Sequence, residues 1–66
     1  MNALHATVLS TQCKRYAEVI EAFKEELELD EKLTDQERDD IVPTLAHVVL
    51  ILNQISDEIH NSNRYQ

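Results

Sequence analysis

A chain of 66 residues forms one domain at most, and a composition with no glycine and one proline favours helices over a sheet built on tight turns. The net charge of −7 argues against direct binding to nucleic acid or to an anionic membrane surface, because both attract lysine and arginine. Cys13 is the only cysteine, so an internal disulfide is excluded, and no Cys/His pair has zinc-finger spacing.

The N-terminal residues and the cysteine content predict a cytoplasmic protein. The segment MNALHATVLSTQCKRY has no basic start followed by an apolar core, so we expect no secretory signal. The longest apolar run is five residues, far short of the roughly 20 needed to span a bilayer. A lone thiol also suits a reducing compartment.

The first element is predicted to be a helix over about residues 3–29. Apolar side chains recur at alternating spacings of three and four residues, which is typical of a helix packed against another helix. The members of this stripe are Ala6, Leu9, Cys13, Tyr16, Ile20, Phe23 and Leu27. Asn2 can cap the helix, with Ser10 and Thr11 as alternatives, and the helical spacing of Leu4 and Val8 favours the early start.

A turn is predicted at residues 30–34, where the apolar pattern stops. Thr34 and Glu37 match the capping box that opens a second helix. A connection this short is normal in an antiparallel helical hairpin. We expect Arg38 to pair with Asp35 or with a carboxylate at the end of the first helix.

The second helix is predicted over about residues 35–61, followed by a polar tail at 62–66 that frays. Its stripe consists of Ile41, Leu45, Val48, Leu52, Ile55 and Ile59, with spacings that match the first stripe. The sequence therefore predicts an all-α fold, an antiparallel hairpin of two long helices whose stripes face each other. With the turn centred near residues 31 and 32, Cys13 should lie level with Leu50 and His5 level with His60.

Pro43 leaves two descriptions of the second helix open. A proline inside a helix removes a hydrogen bond and costs about 3 kcal/mol, whereas one in the first turn costs little. Either Asp40 caps a new helix at Pro43 after a short helical turn at 35–39, or one helix from 35 to 61 is kinked at Pro43. Both alternatives predict a bend near 40–43.

The run from Val48 to Leu52 is apolar around the whole helix, which predicts that more than one neighbour covers it. A second copy of the hairpin is the simplest cover and would complete a four-helix bundle as a homodimer. The residues predicted to form this dimer interface are Leu45, Val48, Val49, Leu50, Ile51, Leu52 and Ile55.

Carboxylates concentrate in the middle of the chain, where residues 18–40 carry a formal charge of −8. One interpretation is a solvated surface that keeps a small protein soluble. The other is a docking surface for a basic protein partner, in its most specific form a mimic of DNA phosphates that blocks a DNA-binding protein. The residues predicted to form it are Glu18, Glu21, Glu25, Glu28, Gln36, Glu37, Asp39 and Asp40.

Other chemistry has weak support in the sequence. Asp57 and His60 make half of a helical metal motif and His5 is expected nearby, but the first helix has no matching motif. Cys13 lies on the apolar stripe and is interpreted as a core thiol. We therefore expect neither a cofactor nor a metal, and no enzyme.

The sequence as a whole predicts a small acidic regulatory protein that self-associates and binds a protein partner, as an adaptor, an inhibitor or an antirepressor. A first alternative is a small chaperone or assembly subunit whose apolar helix binds a client helix. A second alternative is a metal-binding helical bundle.

Overall fold

A computed structural model describes residues 2–64, with side chains described for 2–62. Two helices, α1 (Ala3–Glu28) and α2 (Asp35–Arg64), lie side by side and are joined by a short loop. They form an elongated rod of 49 × 14 × 11 Å. The predicted all-α hairpin is confirmed, and α2 includes residues 62–64 of the predicted tail, whereas 65–66 lie outside the described residues.

The start of α1 is fixed by Asn2, the earliest of the three predicted caps. Its side chain accepts a hydrogen bond of 2.8 Å from the backbone N–H of His5, and its carbonyl accepts one of 3.0 Å from Ala6. The first bond satisfies a backbone N–H that a helix end otherwise leaves without a partner, and the second is the first backbone bond of the helix itself. The helix closes at Leu29, whose N–H donates to the carbonyls of Glu25 and Glu26.

The start of α2 is the predicted capping box. The Thr34 hydroxyl accepts from the Glu37 N–H at 3.1 Å, and the Glu37 carboxylate accepts from the Thr34 N–H at 3.2 Å. From there α2 runs unbroken through Pro43, so the alternative of a new helix capped by Asp40 is wrong. A bend at 40–43 stays a prediction.

The two helices meet along a narrow seam of small and medium side chains. On each helix the least exposed residues recur at spacings of four and three. The seam consists of Ala6, Ser10, Cys13, Ala17, Ile20, Lys24 and Leu27 on α1, and Arg38, Val42, Leu45, Val49, Leu52, Ser56 and Ile59 on α2. Ala6, Ala17 and Ser56 are its fully buried members, and their small size lets the two backbones approach closely.

Half of each predicted stripe lies in this seam and half lies beside it. Tyr16 and Phe23 were predicted to pack between the helices, but they are 58% and 49% exposed. On α2, Ile41 and Ile55 are likewise exposed. The prediction for these four side chains is wrong for the hairpin, because close packing of the small residues turns each helix and moves the large residues to one side.

The register of the hairpin also differs from the prediction. Ser10 and Ser56 are in contact and are equally far along the chain from Leu33, so the turn is centred one to two residues later than expected. Cys13 is consequently level with Asn53 rather than with Leu50.

Candidate interaction surfaces

One side of the seam is polar. Lys14 of α1 and Asp57 of α2 approach to 3.9 Å across it. An open groove runs beside this contact and is lined by Lys14, Ala17, Glu18, Glu21, Ala22, Glu25, Val49 and Asn53. On each helix, the residue four positions after a seam residue therefore lies on this side. The examples are Glu21, which follows Ala17, and Asn53, which follows Val49.

The opposite side of the seam is apolar. Successive helical residues are turned by about 100°, so the residue just before a seam position lies on the other side from the residue four positions after it. Tyr16 precedes Ala17 and Val48 precedes Val49, which places both on the side away from the groove. The resulting apolar face consists of Leu9, Tyr16, Val19 and Phe23 on α1, with Ile41, Val48, Ile51 and Ile55 on α2.

Solvent reaches most of this apolar face. Six of its eight side chains are exposed, among them Val19 at 66% and Tyr16 at 58%, while Leu9 and Val48 are half-buried. Single exposed apolar residues are common on proteins, but a strip to which two helices each contribute four apolar side chains is a candidate interaction surface.

The structure divides the predicted dimer interface among different surroundings. Val48, Ile51 and Ile55 lie on the apolar face. Leu45 and Leu52 lie half-buried in the seam, and Val49 lines the polar groove. Leu50 is half exposed and, by helical geometry, lies on the outer surface toward the groove side.

The acidic end of the rod, residues 18–40, contains basic side chains that neutralise part of its charge. The ammonium of Lys24 lies 3.1 Å from the Glu21 carboxylate and 3.4 Å from that of Glu28. The hydrogen bond to Glu21, together with the charges of both carboxylates, raises the pKa of Lys24 against the opposing effect of partial burial. Lys24 therefore stays charged at neutral pH and neutralises part of the predicted glutamate stripe, losing its proton only as the pH rises through this raised pKa.

Other predicted members of the acidic surface remain open to a partner. Glu18, Glu25, Asp39 and Asp40 are exposed and form no ion pair among the described residues. Gln36 is exposed beside them. Within the predicted set, the unpaired charge therefore comes chiefly from these four carboxylates, since the Glu37 side chain belongs to the capping box.

Arg38 holds the loop at this end in place. Its guanidinium pairs with Asp35 at 3.2 Å, as predicted, and donates to the backbone carbonyls of Asp30 at 2.7 Å and Leu33 at 3.5 Å. The expected carboxylate partner on the first helix is thus replaced by carbonyls of the loop. The Arg38 Nε is buried and has no hydrogen-bond partner among the described residues.

A pair of serines connects the helices near the other end. The hydroxyls of Ser10 and Ser56 lie 2.7 Å apart, and each also lies within hydrogen-bond distance of the other residue's carbonyl, at 3.3 and 3.1 Å. Each hydroxyl has one proton, so one serine donates to the other hydroxyl while the second donates to a carbonyl. Ser56 is fully buried. Sequence reasoning missed this pair, although the heptad spacing of Ser10 with Ala6 and Ala17 could have indicated a small, polar contact.

The remaining predicted site residues are not brought together. Cys13 is half-buried on the seam, and His5 and His60 are exposed. Among residues 2–64, no three histidine, cysteine or carboxylate side chains are grouped as a metal site would require. Neither α1 nor α2, as described, has an apolar stretch that would let it cross a membrane.

No protein-family model matches the chain, and no curated protein or solved structure shows significant similarity to it.

Proposed function

We propose that this chain is a small, acidic regulatory protein of the cytoplasm that acts by binding and not by catalysis. Two copies associate through the apolar face into a four-helix bundle, and the acidic end binds a basic protein, as an adaptor, an inhibitor or an antirepressor. The observation that supports this most directly is the strip of exposed apolar side chains shared by both helices.

The hairpin alone has little to stabilise it. Among residues 2–62, those fully buried are Ala6, Ala17 and Ser56, which contribute little apolar area. Chains of this size bury only about 60% of their extended surface and are marginally stable without disulfides, metals or partners. Covering one large side chain of the apolar face completely contributes about 1.5–3 kcal/mol, and about half of that where it is already half-buried. A second subunit therefore supplies the apolar burial that the monomer lacks.

Self-association is tested by sedimentation equilibrium of two matched variants. Phe23 and Leu50 are similarly exposed, at 49% and 52%, but only Phe23 lies on the apolar face. We expect Phe23→Gln to raise the dissociation constant of the dimer at least tenfold. Leu50→Gln should leave this constant close to the value for the unchanged protein. Equal effects of the two substitutions would contradict the assignment of the interface.

An unchanged protein that sediments as a monomer would contradict self-association altogether. The apolar face would then be free for a client helix, which is the alternative of a small chaperone or assembly subunit.

The role of the acidic end in binding is tested by removing carboxylate charges from chosen positions. The variant Glu18→Gln/Glu25→Gln removes two exposed carboxylates from the acidic end. The control Asp57→Asn/Glu58→Gln removes the same charge from the opposite end of the rod. Each variant is immobilised and used to capture basic proteins from a lysate of its own source cell at low and high salt.

We expect the first variant to lose most of the capture seen with the unchanged protein, and the control to keep it. High salt should reduce capture by the unchanged protein and by the control, because the interaction is between exposed charges. If the two variants captured equally little protein, only the net charge would matter. If both captured as much as the unchanged protein, neither pair of carboxylates would be needed. Either result would remove the acidic end as a specific docking surface.

A further inference from the structure

Charge is distributed unequally along the rod. Residues 18–40 form the turn end and carry −8, whereas the rest of the chain carries +1 from three basic and two acidic residues. The basic residues outside the turn end are Lys14, Arg15 and Arg64. Each copy therefore has one strongly acidic end and one nearly neutral end.

The apolar face is centred on the middle of the rod. Because Ser10 is level with Ser56, Tyr16 and Val48 lie near the midpoint between the turn and the chain termini. Leu9 and Ile55 lie toward the termini, and Phe23 and Ile41 lie toward the turn. The face can therefore be covered by a second copy in either direction without leaving one end of it exposed.

We propose that the two copies pack antiparallel, with the turn of one beside the termini of the other, about a two-fold axis that passes near Tyr16 and Val48. This orientation rests on the proposed self-association and goes beyond it. Phe23 and Ile41 of one copy then pack near Leu9 and Ile55 of the second. The interface is self-complementary, as a two-fold interface must be.

The size of the rod fits a second copy of this chain. A copy laid lengthwise on this side of the rod, 49 × 14 Å, has a footprint on the order of 700 Å², close to the roughly 800 Å² per partner of a stable protein interface, and the apolar face occupies the centre of that footprint. Both helices contribute large side chains at heptad-like spacing over the same length, which is what an identical hairpin requires for regular helix packing.

Electrostatic repulsion decides the direction. In a parallel dimer the two turn ends would lie side by side, with the axes of packed helices about 10 Å apart. In the antiparallel dimer they lie about 45 Å apart, from the rise of 1.5 Å per helical residue over the length between them. Screening at physiological salt acts over about 8 Å, so the antiparallel form removes nearly all of this repulsion and brings each acidic end beside the partner's nearly neutral end.

Distances between spin labels test the orientation. In a Cys13→Ala background, one variant carries Lys32→Cys in the turn and a second carries Glu18→Cys near the middle of the rod. Both positions are exposed, and labelled samples are first checked for helicity by circular dichroism. Pulsed electron double resonance then measures the distance between the two identical labels of each dimer.

We expect the Lys32 labels to lie about 45 Å apart, from the helical rise, and the Glu18 labels to lie much closer together. A short distance at both positions would overturn the antiparallel orientation while leaving self-association intact. Absence of any intermolecular distance at Glu18, at concentrations where the unlabelled protein is helical, would refute the proposed dimer itself.

Discussion

The contact between Ser10 and Ser56 makes a quantitative prediction about coupling between the helices. Replacing Ser56 with alanine removes its hydroxyl, and with it the contact to the Ser10 hydroxyl and the bond to the Ser10 carbonyl, so the Ser10 hydroxyl keeps only its longer bond to the backbone carbonyl of residue 56. A hydrogen bond of this kind contributes about 0.5–1.5 kcal/mol, and an unsatisfied buried group costs about 1–3 kcal/mol. We therefore expect Ser56→Ala to lower the free energy of unfolding by about 1–2 kcal/mol, and Ser10→Ala by a similar amount.

The double variant Ser10→Ala/Ser56→Ala should be close to the unchanged protein. Both polar partners are then replaced by small apolar groups, and alanine has a helix propensity about 0.5 kcal/mol better than serine at each position. The cycle should therefore show a coupling energy of about 2–4 kcal/mol, the sum of the two single losses, outside the additivity expected of independent sites.

The assay is urea unfolding followed by far-ultraviolet circular dichroism, at one fixed protein concentration because stability of a dimer depends on concentration. A matched variant, Ser62→Ala, changes an exposed serine near the end of α2 and should alter stability by less than about 0.5 kcal/mol. If the changes in unfolding free energy caused by the two single substitutions in the seam simply add in the double variant, the serines do not act as a pair and the reasoning fails.

Substitutions at three further positions probe the first turns of α2 and the loop before it. Pro43→Ala should stabilise the protein by about 1–3 kcal/mol in urea unfolding, because it restores a backbone hydrogen bond to the Asp39 carbonyl; no gain would mean that this carbonyl already has a good partner. Thr34→Ala should cost about 1 kcal/mol through loss of the cap, and an unchanged midpoint would contradict the role of the capping box. Arg38→Met should cost about 1–3 kcal/mol because the Asp30 carbonyl loses a charged donor, and Arg38→Lys should not restore it, since one ammonium cannot reach all three acceptors.

The helices and their ends were accessible from the sequence because local chemistry determines them. Thr34 and Glu37 are three residues apart, so their capping box forms from the chain's own geometry wherever the rest of the protein lies. Asn2 caps α1 for the same reason. The alternating spacing of apolar residues likewise predicted two helices that pack against each other, because a helix presents every third or fourth residue on one side.

The rotation of the helices could not be predicted in the same way. Tyr16 and Ala17 are adjacent, and heptad spacing allows either residue to face the other helix. Size decides between them only when the opposing surface is known: Ala17 and Ser56 permit a close approach, and Tyr16 and Phe23 are then left outside the seam. The apolar face, which is the main candidate surface, follows from that choice.

By itself the sequence determined the composition-driven helicity, the helix starts, the length of the turn within a residue or two, and the concentration of negative charge at one end. These depend on neighbours along the chain, and on formal charge, and need no knowledge of what lies opposite. Only the tertiary structure decided which residues meet between the helices, which serines pair, and which apolar side chains remain in water, because those outcomes depend on how closely two particular surfaces can approach.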